Sequence, residues 1–191
     1  MIDCINNDLV EILSIDESVP TNESNSMLPT EFLNSLEAPG LPSHKLKLKV
    51  GTPCILIRNI DVNRGLCNGA KLLITSIGQK HIMAVLANGP RKGKELPLFK
   101  VKIFSNEDDF PFRFSRVQFP IKIAFAMTAN KVQGQTLNYV GISLLQPFFT
   151  HGQLYVALSR VKSSANVKII CPEDEKGQIR TKNIVFKEVL N

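Results

Sequence analysis

From Lys45 to Phe104 the chain never carries an apolar run longer than a short strand before a turn-forming residue stops it, and this punctuation limits what it can fold into. In "KLKLKV" the period is two: Leu46, Leu48 and Val50 fall on one side and Lys45, Lys47 and Lys49 on the other, the pattern of a half-buried strand. "TPCILIRNI" is a second, more buried run, and "RGLCNGAK" follows it with Gly65 and the turn-forming Asn68-Gly69 pair. "KLLITSI", "HIMAVLAN" and "KELPLFKVKIF" complete the series, broken by "IGQK" and "NGPRKGK". Closely spaced short strands of this kind predict a small antiparallel barrel.

After "SNEDDFPFRF" the pattern changes to strand and helix in alternation: "FPIKIAFA" as strand, "TANKVQGQT" as loop or helix start, "YVGISLL" as strand, "THGQLYVALSRVKS" as helix and "NVKIICP" as strand. That order predicts a parallel α/β layer with helices on the sheet. "KNIVFKEVL" fits helix or strand equally. Ahead of both regions, the first 40 residues read as one or two short helices ("LVEIL", "FLNSL") joined by a flexible loop, with "PGLP" closing the segment.

Charge follows the same divisions. Residues 1–40 hold 8 acids and no Lys or Arg; residues 41–104 hold 12 Lys/Arg against 2 acids; residues 105–191 hold 11 against 7. A middle region this basic attracts a polyanion, because neutralising phosphates releases condensed counterions. A solubilising surface, or lysines blunting an exposed edge strand, accounts for the same count. Cys4, Cys54, Cys67 and Cys171 are dispersed without a C-x-x-C pair, as are His44, His81 and His151, so neither a disulfide framework nor a metal site is expected. No apolar run reaches membrane-spanning length and no secretory leader is evident, which points to an intracellular protein.

The densest polar cluster is "MTANKVQGQTL", directly behind "FPIKIAFA". At the carboxyl end of a parallel strand, Thr128, Asn130, Lys131, Gln133, Gly134, Gln135 and Thr136 would line the crevice where such sheets bind ligands, offering charge and N–H donors to phosphate oxygens. The same residues serve equally as a polar N-cap and a solvated first turn. Arg160, near the end of "HGQLYVALSRVKS", either complements the helix C-terminal dipole or neutralises charge developing on a transferring phosphoryl group. "GLCNG" places Cys67 between glycines, but His81 has no recognisable orienting partner, so a Cys or Ser hydrolase gains little support.

Together, "AFAMTANKVQGQTL" and "HGQLYVALSRV" resemble motifs V and VI of superfamily I helicases, specifically the petite-integration-frequency (PIF-type) 5′-to-3′ DNA helicases, including those of Helitron transposons. Upstream, "PTEFLNSLEAPGLPSHKLKLKVGTPCILIRNIDVNRGLCNGAKLLI" resembles the accessory 2B subdomain that this family inserts in its second motor domain. The resemblance implies three regions: an acidic, partly flexible segment over 1–30, a 2B-like subdomain with a small Src-homology-3-like barrel over 31–116, and the C-terminal part of RecA-like domain 2A over 117–191. It implies an ATP-dependent helicase part in which Thr128 and Lys131, with Lys45, Lys47 and Lys49, contact single-stranded DNA. Gln133, Gly134 and Thr136 couple that contact to the nucleotide, Arg160 is the arginine finger, and Gln153, Tyr155 and Ser159 shape its surroundings. ATP and Mg2+ are the cofactors implied for the full motor, and a monomer in the nucleus, or the mitochondrion, is the implied setting.

A P-loop needs two glycines five apart ahead of Lys and Ser or Thr, and this chain has no such pair of glycines. "KIICPEDE" offers Glu173, Asp174 and Glu175 but no phosphate cradle for a metal to serve, and reads as a charged loop. The expectation is a half-motor that is inactive alone and needs an N-terminal RecA-like domain to hold ATP. The alternative is a non-enzymatic nucleic-acid-binding module that keeps only the basic barrel.

Overall fold

The computed structural model describes residues 2–20, 28–38, 40–106, 109–173 and 177–186. The chain divides into two compact units, Met1–Phe125 and Ala126–Asn191.

The first unit contains β1 (Val10–Leu13), β2 (Ile15–Val19), α1 (Thr30–Ser35), β3 (Lys45–Leu48), β4 (Pro53–Leu56), β5 (Lys71–Ile77), β6 (His81–Leu86), β7 (Glu95–Phe99), β8 (Val101–Phe104), β9 (Arg113–Gln118) and β10 (Ile121–Ile123). Its largest sheet runs β10-β4-β5-β6-β7, with antiparallel pairing throughout. The period-two reading of "KLKLKV" holds from Lys45 to Leu48 and fails at Val50, which lies beyond β3 and is exposed. Leu46 and Leu48 are buried while Lys45 and Lys47 are exposed, and alternate residues of β4, β5 and β6 enter one core with Phe119 and Ile121. Gly65 and Gly69 take positive φ (85° and 84°) in the turns between β4 and β5, where a side chain would be strained. Asp61 accepts from the Arg64 amide at 3.0 Å in the same connection.

A three-stranded antiparallel sheet, β2-β9-β8, packs over α1 around Leu33, Leu41, Ile103 and Phe114. Arg116 of β9 and Asp16 of β2 lie at its centre with both side chains fully buried, 2.7 Å apart. Arg116 uses its remaining donors on the carbonyls of Leu33, Leu36 and Pro42, so the end of α1 and the chain after it close over one guanidinium. Ser14 Oγ donates to Asp16 Oδ1 (2.6 Å) and therefore accepts from the Nδ1–H of His44 (2.8 Å).

Three expectations are corrected here. "LVEIL" is not helical: Val10–Leu13 forms β1 and pairs with β3, and Ile15–Val19 forms β2, because so short a stretch, with one acid among four apolar residues, satisfies either period and the available partner strand decides. "FPIKIAFA" does not open a parallel layer; Ile121–Ile123 pairs antiparallel with β4 in the first unit. Parallel pairing, expected over the whole region from residue 117, is confined among the described residues to one pair of strands in the second unit.

That unit contains β11 (Val140–Ser143), α2 (Gln153–Leu158) and β12 (Val167–Ile170). β11 and β12 pair in parallel, and α2 buries Ala157 against Ile142 and Leu144. Residues 181–186 have no regular structure, and the rest of "KNIVFKEVL" lies outside the described residues. Glu173 forms a bridge with Ile179, while Asp174 and Glu175 lie outside the described residues.

Candidate functional site

Thr128 begins a single 3-10 turn, Ala129–Val132, and its side chain makes no capping bond; the backbone alone closes the turn, Lys131 N–H donating to Thr128 O at 3.0 Å. The N-cap reading therefore does not account for the Thr128 hydroxyl. Thr128, Lys131, Gln133, Gly134 and Thr136 are all exposed. Gly134 has φ 78°, and a Cβ there would meet nothing within 4 Å, so backbone conformation rather than space selects glycine. Gln135 folds back, its side-chain amide donating to Lys131 O at 2.9 Å.

The turn is stitched to α2. Gln153, buried in the first turn of α2, donates to Asn130 Oδ1 at 3.4 Å and accepts from the Thr150 amide at 3.3 Å. At the other end, Leu137 N–H donates to Arg160 O at 2.8 Å. The Arg160 side chain returns the contact: Nη1 donates to Gln135 O at 3.2 Å, Nε to Val156 O at 2.8 Å and Nη2 to Ser159 Oγ at 2.8 Å. Arg160 is half-buried and caps the helix end, as the dipole reading expects, yet among the described residues one N–H on each terminal nitrogen has no partner. The polar loop and the arginine thus form one assembly on the second unit, with Gln135 and Arg160 25 residues apart in sequence. Tyr155 is 71% exposed and projects from the same helix.

Lys45, Lys47 and Lys49 lie on the first unit. Lys45 pairs with Glu11 at 3.2 Å, and Lys49 Nζ donates to Ile5 O at 2.9 Å. An open groove of about 840 Å³ on the same unit, lined in part by Arg58, Lys102, Phe104, Asp109 and Arg113, has partly compensated charge, since Lys102 bridges Glu17 at 2.8 Å. The hydrolase reading finds no geometry: the Cys67 thiol donates to Gly65 O, and the His81 ring packs against Phe99. Ser14, His44 and Asp16 resemble a nucleophile cluster only in composition, because Ser14 gives its proton to the carboxylate and so cannot give it to the imidazole. Burial pushes the Cys54 thiol up to about 12, which leaves it unreactive. Among the described residues, no group of three or more His, Cys, Asp or Glu side chains could hold a metal.

Two arrangements escaped the sequence reading: the Gln153–Asn130 tie and the Asp16–Arg116 pair. The second had half a signal: in "RFSRVQ" Arg116 is in phase with Phe114, but in "IDESV" Asp16 alternates with Ile15 and Val19 instead of sharing their phase. The first had none, because its partners are 23 residues apart in unlike elements.

Comparison with known proteins matches this architecture. Residues 31–77 fit the family described as DNA helicase Pif1, 2B domain. The chain is 33% identical over 144 residues to the ATP-dependent DNA helicase PIF1 of Danio rerio, covering 73% of this chain and 21% of that protein. It is 33% identical over 150 residues to the human protein of the same name, with the same coverage, 73% and 21%. Its fold superposes on a crystal structure of Pif1 helicase from Bacteroides in complex with ADP-AlF3 and ssDNA, with a TM-score of 0.64 and 20% identity, covering 97% of this chain and 39% of that one.

Sequence and fold therefore define a chain of the DNA helicase class. More particularly, it belongs to the Pif1 family, as a C-terminal Pif1-type helicase part. It spans about a fifth of the length of these two relatives, 21% of each.

Proposed function

We propose that this chain is the DNA-gripping and nucleotide-sensing portion of an ATP-dependent 5′-to-3′ DNA helicase, working as a monomer against an N-terminal RecA-like domain that holds ATP. The observation that carries this reading is the Arg160 assembly: one guanidinium, in the turn just past α2, joins that helix to the polar loop and has two N–H donors with no partner among the described residues. Those donors fit a phosphate-oxygen contact. The chain has no sequence for a nucleotide cradle and, among its described residues, no group for Mg2+, so both would be held elsewhere. ATP with Mg2+ supplies the driving free energy when bound in a complete motor.

Arg160, as arginine finger, would stabilise charge on the transferring phosphoryl group, a contribution of about 10³ to 10⁵ in rate where such fingers act. Movement of its guanidinium would reach Gln135 directly, then Thr136 on one side and, through the glycine turn at Gly134, Gln133, Lys131 and Thr128 on the other. Thr128 and Lys131, exposed on that loop, would contact the DNA backbone. Lys45, Lys47 and Lys49 on the first unit, read as the outer face of a small Src-homology-3-like barrel within a 2B subdomain, would add sequence-independent phosphate contacts. A nuclear or mitochondrial DNA substrate is consistent with this chemistry.

The test is reconstitution. Mixed with a Pif1-type N-terminal motor domain, the wild-type chain should support DNA-stimulated ATP hydrolysis, and Arg160→Ala should lower kcat by about 10³ or more while single-strand affinity stays within about two-fold. Equal rates for wild type and Arg160→Ala would rule out the finger. The alternative, a binding module without motor function, is favoured by the basic stretch 41–104 alone and predicts salt-sensitive strand binding with no turnover in any mixture.

A further inference from the structure

The lysine row of β3 does not face solvent unopposed. β1 lies antiparallel to it, with Glu11 opposite Lys47 and Ile12 opposite Leu46. Directly opposed residues share a face of the ribbon, so Glu11 stands amid the lysines, and its Oε1 reaches Lys45 Nζ at 3.2 Å. The chain ahead of β1 continues along the same strand: Asn7 Nδ2 donates to Val50 O at 2.8 Å, and Lys49 Nζ donates to Ile5 O at 2.9 Å. An N-terminal segment that carries only acids is thus laid by backbone pairing beside the most regular row of cations in the protein.

We propose that β1 is a built-in competitor for polyanion at β3: Glu11 occupies Lys45 as an intramolecular counter-charge and holds down the strand affinity of the lysine row. The proposal rests on the reading that this row meets the DNA backbone, and names its regulation. Structure is a weak reason for the acid. The pair is open to solvent, with side chains 54% and 41% exposed, and exposed pairs contribute little to stability. β1 is held instead by its ladder to β3 and by Ile12, which packs against the core. Glu11 is therefore dispensable to the fold but sited where it sets the local field. A single-strand phosphate that docks on Lys45 must displace it, and each phosphate so neutralised adds about 0.7 to the slope of log affinity against log salt.

The experiment measures binding of the full chain to a fluorescent oligo-dT 20-mer across a KCl series. Glu11→Gln should bind about two- to five-fold tighter at low salt, with a slope steeper by about 0.7. Adding Lys45→Gln should abolish that gain, and the melting temperature should not change. Affinity and slope equal to wild type in Glu11→Gln, or a gain that survives Lys45→Gln, overturns the proposal. If charge reversal of Lys45, Lys47 and Lys49 weakens binding while Glu11→Gln leaves it unchanged, the DNA contact stands and the competitor falls. If neither wild type nor Glu11→Gln binds, both fall.

Discussion

Arg116 shows how a single residue can organise a unit. Its five N–H groups are all engaged, by the Asp16 carboxylate and by three carbonyls from α1 and the chain that follows. Desolvating two charges is costly, and only this complete set of partners offsets it. Arg116→Met alone should strand a buried carboxylate and destabilise the first unit by about 3 to 5 kcal/mol. The double variant Asp16→Leu, Arg116→Met should recover much of that loss. Urea unfolding of both variants measures the difference, and a double variant no better than the single one would mean that the carbonyl contacts, not the ion pair, hold the unit. Arg160 has the opposite character, half-buried with donors to spare, which is the condition of a group that can take a ligand.

At the scale of elements, the polar loop from Thr128 to Leu137 matters more than the strand that precedes it. β10 belongs to the first unit's antiparallel sheet, so the loop is placed not by a parallel strand end but by α2, through Gln153 at its start and Arg160 at its finish. Gly134 turns the loop with a positive φ that costs any other L-residue about 1 to 2 kcal/mol. Gly134→Ala should therefore loosen the loop by strain without a clash. Exchange of the Leu137 amide, which is bonded to Arg160 O, should speed up about five-fold or more while amides of β5 and β6 stay unaffected. Unchanged exchange at Leu137 would show that the loop does not depend on this conformation. β1 and β2 make the complementary point, since an acidic segment expected as helix and loop became two strands once β3 and β9 were there to pair with it.

For the whole molecule, the relation to Pif1 helicases bears on activity by what the chain contains. Its two units carry candidate DNA contacts and a candidate finger but no P-loop sequence, so the purified 191-residue chain should show no DNA-stimulated ATP turnover above background. Phosphate release with and without single-stranded DNA is the measurement; turnover that disappears in Arg160→Ala would place a nucleotide site within this chain.

Local patterning was enough to identify β3, β4, β5 and β6, the turns at Gly65 and Gly69, and a helix within "THGQLYVALSRVKS", though that helix covers only Gln153–Leu158 and leaves Arg160 in the turn beyond it. The tertiary structure decided the rest: the direction in which β10 pairs, the conversion of the acidic segment into β1 and β2, the burial of Asp16 against Arg116, and the contact of Glu11 with Lys45. The last two join residues 100 and 34 positions apart. The alternation in β3, β5 and β6 states which face is buried, but not which neighbour will supply the hydrogen bonds, and in β2 even the face is set by the partner, which buries Asp16 and leaves Ile15 exposed. That choice is made by packing across the unit, where the energies of distant partners are compared.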